Sequence, residues 1–150
     1  MSTLRRVVLA GTLALLVVAG VVAWNYWPVA LRYRRSRTLE AGRATVSRYV
    51  SGQDSLSAAV CQLATAVRHF NILSLRLDMV EPAQSRRIVD EPMFVPSGVD
   101  PNDPRVEELT RNAYRIAVPE DLPSEQRARI RQLDDSMIRA RGFRIVECAA

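Results

Sequence analysis

Lysine is absent from this chain: all 21 basic residues are arginines. No Schiff-base or general-base lysine chemistry is therefore open to it. Codon bias in a GC-rich genome accounts for the replacement, and a functional demand for guanidinium forks is not needed to explain it. Histidine is nearly absent too, with His69 alone between Arg68 and Phe70. One histidine and two distant cysteines supply too few ligands for a zinc site. A Ser-His-Asp arrangement needs an activated nucleophile beside an oriented base, and no Gly-x-Ser-x-Gly or reactive-cysteine context occurs. A glycine-rich phosphate loop, internal repeats and low-complexity tracts are also missing. Asp100-Pro101-Asn102-Asp103 superficially resembles a calcium loop, but the turn glycine is lacking and Arg111 stands where the bidentate acid belongs. Glu107-Glu108 are better read as acids near a helix N-terminus. Asp134-Asp135 project in different directions and are expected to pair with Arg131 or Arg139 at helical spacing. No catalytic, metal or cofactor site is expected, and the chain reads as a non-enzyme.

What is present is an uncharged interval. No charged residue lies between Arg6 and Arg32, and Val7–Ala23 reads VVLAGTLALLVVAGVVA before Trp24, Asn25, Tyr26 and Trp27. A helix needs about 20 apolar residues to cross a hydrocarbon core. Trp24, Tyr26 and Trp27 fall where amphipathic rings prefer the headgroup layer. Pro28 is expected to interrupt or kink the helix at that interface. The competing reading is a cleaved secretory signal, with Arg5 and Arg6 as its basic region and Val21-Val22-Ala23 before the cut. The apolar run exceeds the roughly 7–15 residues usual for such a core, and RYRRSR (Arg32–Arg37) follows closely, so an uncleaved anchor is the preferred reading.

Charge is distributed unevenly. Pro28–Gly52 carries Arg32, Arg34, Arg35, Arg37, Arg43 and Arg48 against Glu40 alone, whereas Gln53–Ala150 holds 13 arginines and 15 acids. The basic balance is thus a collar beside the anchor, formed at the interface by Arg32, Arg34, Arg35 and Arg37. A nucleic-acid binder would spread basic charge over its folded part, so nucleic acid is not an expected partner. Anionic lipid headgroups are, at about 1 kcal/mol per basic residue near the surface. The collar's alternative role is to set how the anchor inserts. Arginine counting across the span favours a cytoplasmic C-terminal domain, while signal-anchor behaviour favours export; the exported arrangement is preferred, in a bacterial cytoplasmic membrane.

The expected fold is mainly α: a single N-terminal transmembrane helix, then a small helical domain built as a helical hairpin plus C-terminal helices, with a few short strands. The segments are a tail (1–6), the anchor (7–27), an arginine-rich juxtamembrane helix (28–52) and a membrane-proximal domain (53–150). Within the juxtamembrane part, Ser36–Val50 carries a thin stripe of Leu39, Gly42, Val46 and Tyr49 or Val50. Ser51-Gly52 ends it, and Asp54 or Ser55 caps the next helix. That helix, Ser55–Val80, has the clearest pattern: Leu56, Val60, Leu63, Val67, Phe70, Leu73, Leu77 and Val80 recur at spacings of three and four. The seam serves either the domain's own core or another subunit.

Every proline except Pro28 lies between Glu81 and Ser124, so 81–104 is expected to be irregular, with Ile88-Val89 and Met93-Phe94-Val95 as short edge strands. Asp103 or Pro104 opens a helix placing Val106, Leu109 and Ala113 on one face. Tyr114–Val118 and Phe143–Cys148 read as strands. Between them, Ser124–Arg141 is a helix with Ile130, Leu133, Met137 and Ala140 inward and Gly142 just past its end. Cys61 and Cys148 form a disulfide if the domain is exported and stay reduced if it is not. The expected role is an accessory, assembly or stabilising subunit of a larger membrane protein complex. The alternatives are an envelope-spanning tether or phage-type lysis factor, and a soluble secreted protein released by signal cleavage.

Overall fold

A computed structural model describes residues 3–80 and 94–148. Four helices account for the regular structure in them: α1 (Thr3–Val50), α2 (Leu56–Val80), α3 (Pro104–Ile116) and α4 (Ser124–Ala140). The expected sites at Ile88-Val89 and Met93 lie outside the described residues.

The segments expected as an anchor (7–27) and a separate juxtamembrane helix (28–52) are one element up to Val50. α1 runs 48 residues with Pro28 inside it, about 72 Å at 1.5 Å per residue. The interruption expected at Pro28 does not occur. Proline removes one i→i−4 hydrogen bond, and long helical stretches on both sides hold the register across that gap. Just before it, Asn25 Nδ2 donates to the Val21 carbonyl at 2.8 Å. The apolar window of α1 is wholly uncovered by the rest of the chain, and Leu13, Leu15, Leu16, Val17 and Val18 are all exposed. Among the described side chains, the first fully buried one along α1 is Leu31.

Beyond Leu31, α1 joins the domain. Gly52, at φ +79°, lets the chain turn: Gln53 N–H donates to Arg48 O at 2.8 Å and Gly52 N–H to Tyr49 O at 3.0 Å, the paired bonds of a Schellman ending. Ser55 then caps α2, its Oγ accepting from Ala58 N–H at 3.3 Å. Asp54, the other expected cap, instead takes Arg48 Nε at 2.9 Å and closes the hairpin. α2 returns antiparallel to α1, with register marked by Arg48 Nη2 on Gln62 Oε1 at 2.7 Å and Arg35 over the Phe70 ring at 5.7 Å.

α2 is the central helix. Leu56, Val60, Leu63, Val67, Phe70 and Leu77 of its seam are buried within this chain, and Ala59, Ala64 and Ala66 widen the stripe. The wider stripe is what contact with both α1 and α3 requires. Small residues let those neighbours approach, and Gly42 carries this furthest. A Cβ there would stand 2.3 Å and 2.7 Å from two ring carbons of Phe94. Phe94 fills that notch and meets Phe70 edge-on at 5.6 Å.

The segments expected as strands are built otherwise, and no strand occurs among the described residues. Phe94-Val95 lies in a turn and bend, its ring rather than its backbone hooked onto the core. Tyr114–Ile116 is the last turn of α3. That helix is opened by Asp103, whose Oδ1 accepts from Arg105 N–H at 2.9 Å, with Pro104 in its first turn. Its buried face continues past Val106, Leu109 and Ala113 to Asn112 and Arg115.

Those two polar residues explain why 143–148 has no ladder. Asn112 Oδ1 accepts Val146 N–H at 2.8 Å, while its Nδ2 donates to Arg144 O at 2.9 Å. Glu108 Oε1 accepts Arg144 N–H at 2.9 Å. Side chains of α3 thus take the place of a neighbouring strand. Cys148 is bonded to Cys61 on α2, Cα to Cα 5.7 Å, which ties the end of this segment to the central helix.

α4 also departs from expectation. Only Ile138 is buried; Leu133 and Met137 are 59% and 47% exposed, and Ala140 is exposed. The helix is rotated so that Asp134, Asp135 and Ile138 approach α3. The cause is Arg115, which takes Asp135 as its partner together with Glu147 at 2.6 Å. Asp135 is therefore paired with α3 rather than with Arg131 or Arg139 of its own helix.

Candidate functional site: a basic groove beside the apolar helix

Helical spacing sorts the arginine collar into two directions. Arg35, one turn beyond Leu31, points along the α1–α2 seam, where its guanidinium covers Phe70. Arg34 and Arg37, three apart, lie on an adjoining face. Across from them α2 presents His69, Leu73 and Arg76, also at spacings of three and four. Together with Tyr33, Thr38 and Ile72 these residues line an open groove of about 450 Å³ between the helices. Three guanidinium groups and an imidazole share it, and its lining contains no carboxylate. Arg37 reaches Glu40 at 3.7 Å on the side away from the apolar helix. No carboxylate among the described residues pairs with Arg34 or Arg76. Such a set favours an anion with several acceptor oxygens, for which guanidinium forks are well shaped. It repels metal cations, so His69 stands in the wrong company for a metal ligand.

A second hollow of about 500 Å³ adjoins the first through His69 and Ile72 and reaches the α3–α4 connection at Val118 and Pro119. Arg68 closes one side, donating to Ile116 O at 2.8 Å and pairing with Glu120 at 3.2 Å. These bonds fasten the connection to α2, and the hollow is a seam between packed elements. A third, smaller hollow of about 200 Å³ lies under Tyr114 and Met137. Burial pushes the Tyr114 phenol upward.

The aromatic trio stands about two to three turns from the groove. Trp24, Tyr26 and Trp27 are all exposed, Trp24 by 75%. Arg34 follows Trp27 by seven residues, about 10 Å along the helix. Arg32 and Arg34 are exposed, Arg35 is half-buried, and Arg37 is exposed. Of the eight seam positions on α2, Leu73 and Val80 are half-buried and the other six buried. The structure therefore brings two of the four collar arginines, Arg34 and Arg37, to a shared site with α2 and assigns Arg35 to packing.

Sequence reasoning missed His69 and Arg76 as members of this site, because their place depends on hairpin register. It also missed the polar clamp of Asn112 and Arg115. The signal for that clamp was present: both occupy the face of α3 that carries Val106 and Leu109, and polar groups on a buried face must find partners. No protein-family model, curated protein or solved structure matches this chain.

Proposed function

We propose that the chain is a single-pass protein of a bacterial cytoplasmic membrane, with Val7–Trp27 in the bilayer. Its domain is exported and acts without catalysis as an accessory or assembly subunit of a larger membrane protein complex. Continuity is the observation that carries this reading. α1 passes without a break from an uncovered apolar stretch into the domain core at Leu31 and Val46. A helix apolar on all sides and left uncovered is suited to lipid. The Cys61–Cys148 bond supports the exported side, where disulfides persist. The subunit role draws on α4, whose Leu133 and Met137 are left outward beside exposed Tyr114. A tether would prolong α1 away from the bilayer, whereas α2 folds back beside it.

The test uses the full chain with a photo-crosslinking residue at Leu133 or Met137, purified in mild detergent. Discrete adducts with integral membrane proteins from those positions, and none from Ser47, are the expected result. A monodisperse monomer without adducts would overturn the subunit role.

A further inference from the structure

We infer that the groove of Arg34, Arg37, His69 and Arg76 binds the phosphate of an anionic phospholipid, the lipid lying along the outer side of the α1–α2 hairpin. The inference rests on the membrane reading of α1 and adds to it a defined lipid site.

Insertion topology explains basic residues only within about 15–20 residues of a span. Arg34 and Arg37 meet that condition. His69 and Arg76 do not; they reach the collar because the hairpin carries α2 back toward Trp27. Two helices thus converge cationic and hydrogen-bonding groups on one groove. A general attraction to a charged surface needs no such convergence, whereas the several oxygens of one phosphate are well served by it.

Depth and apolar lining agree with a lipid. Antiparallel register, marked by Arg35 on Phe70 and Arg48 on Gln62, sets Arg76 near the level of Leu31 and Met79 near Trp27 and Pro28. Arg76 then lies about one helical turn, roughly 5 Å, beyond the end of the span. That puts Arg76 within the headgroup layer, about 5–8 Å thick on each side of the hydrocarbon, with Arg34, about 10 Å beyond Trp27, at its outer edge and Arg37 and His69 farther out. Beside the groove, α2 exposes Ile72, Leu75 and Met79 at spacings of three and four; Ile72 lines the groove itself, Leu75 the adjoining hollow, and Met79, 85% exposed, lies on the bilayer side of Arg76. An apolar flank thus runs alongside the basic groove and ends at Met79, at the edge of the hydrocarbon. A phosphate in the groove and acyl chains along the flank match both parts of this surface, whereas a free phosphate ion matches only the first.

The experiment uses the full chain in nanodiscs made from equal parts phosphatidylcholine and phosphatidylglycerol, with retained lipids counted by native mass spectrometry. The wild-type chain is expected to keep phosphatidylglycerol well above its bulk proportion. Arg34→Gln with Arg76→Gln should lower the ratio of retained phosphatidylglycerol to phosphatidylcholine roughly tenfold, with helicity unchanged by circular dichroism. Arg129→Gln with Arg139→Gln on α4 should leave it intact. Retention at bulk composition by an inserted wild-type chain, or enrichment unchanged in the groove variant, overturns the lipid site alone. A chain that stays out of the bilayer overturns the membrane reading and the site with it. A parallel titration with inorganic phosphate in pure phosphatidylcholine discs separates the two phosphate sources. Saturable binding lost with Arg34 and Arg76, without lipid enrichment in the mixed discs, would overturn the lipid assignment in favour of the free ion.

Discussion

Val146 donates its backbone N–H to the Oδ1 of buried Asn112 at 2.8 Å, and the same carboxamide donates back to Arg144 O. One side chain thereby reproduces the pair of bonds that a neighbouring strand would offer. Segment 143–148 is held against a helix because α3 carries this polar residue in the middle of its apolar face.

Replacing Asn112 by leucine keeps the approximate volume but leaves the Val146 donor and the Arg144 acceptor without partners. A loss of about 2–4 kcal/mol is expected from two such groups. Urea unfolding of the full chain measures it, and hydrogen exchange locates it: the Val146 amide should exchange much faster while Val67 on α2 keeps its protection. Retained protection at Val146 would show that Asn112 does not hold the segment.

Gly42→Ala sets helix propensity against packing. Alanine favours the helix by about 1 kcal/mol, so an exposed glycine at this place would gain from the change. Here the new methyl meets the Phe94 ring, and Phe94 is wedged against Phe70. Overpacking typically costs about 1–3 kcal/mol, and a net destabilisation of about 1 kcal/mol is expected. Gly42→Ala combined with Phe94→Leu should recover part of it, measured as a coupling energy in a double-mutant cycle.

The residues that made the fold legible are those whose partners lie within their own helix or cap. The α2 seam from Leu56 to Leu77 announces a buried helix because its period alone implies a face. Asp103-Pro104 announces the start of α3 because capping is local. The alternation of 143–148 suggested a strand, but the segment is held by side chains of Asn112 and Glu108 more than 30 residues away instead of by a ladder. Met137 and Leu133 were expected inward by periodicity; the Arg115–Asp135 ion pair turned α4 away from that face. The groove was half legible. Arg34 and Arg37 stood out as part of the collar, whereas Arg76 and His69 join them only once the turn at Gly52 fixes the register between α1 and α2.

The Cys61–Cys148 bond closes a loop across a sequence separation of 87 residues. Loop-closure entropy for that length comes to roughly 4–5 kcal/mol, and disulfides commonly deliver about 2–4. The Cys61→Ser/Cys148→Ser variant should lose stability in that range, and dithiothreitol should destabilise the parent chain by a similar amount and leave the variant unaffected. The same bond reports on sidedness. Chain trapped in intact cells by alkylation should carry no free thiol if the domain is exported. Two alkylated cysteines would place the domain in a reducing compartment and sink that part of the proposal.

Acid should destabilise the domain through three carboxylates among the described residues. The hydrogen bond from Arg115 lowers the Glu147 pKa, that from Arg111, joined by Arg141, lowers Glu107, and that from Arg105 lowers Asp103. A carboxyl group depressed in the folded chain binds protons more readily when unfolded. Its stabilising effect is complete above the ordinary glutamate value of 4.5 and fades as pH falls through the lower folded value. Asp134 works in the opposite sense. Burial and then Asp135 raise its pKa, so its protonation on acidification favours the folded chain and offsets part of the loss. Three depressed groups against one raised group give a net fall in melting temperature as pH drops below about 4.5. Glu147→Gln cannot titrate, so its melting temperature should start lower at neutral pH and decline less steeply across that window. An unchanged slope in Glu147→Gln would mean that the Arg115–Glu147 contact carries no proton linkage.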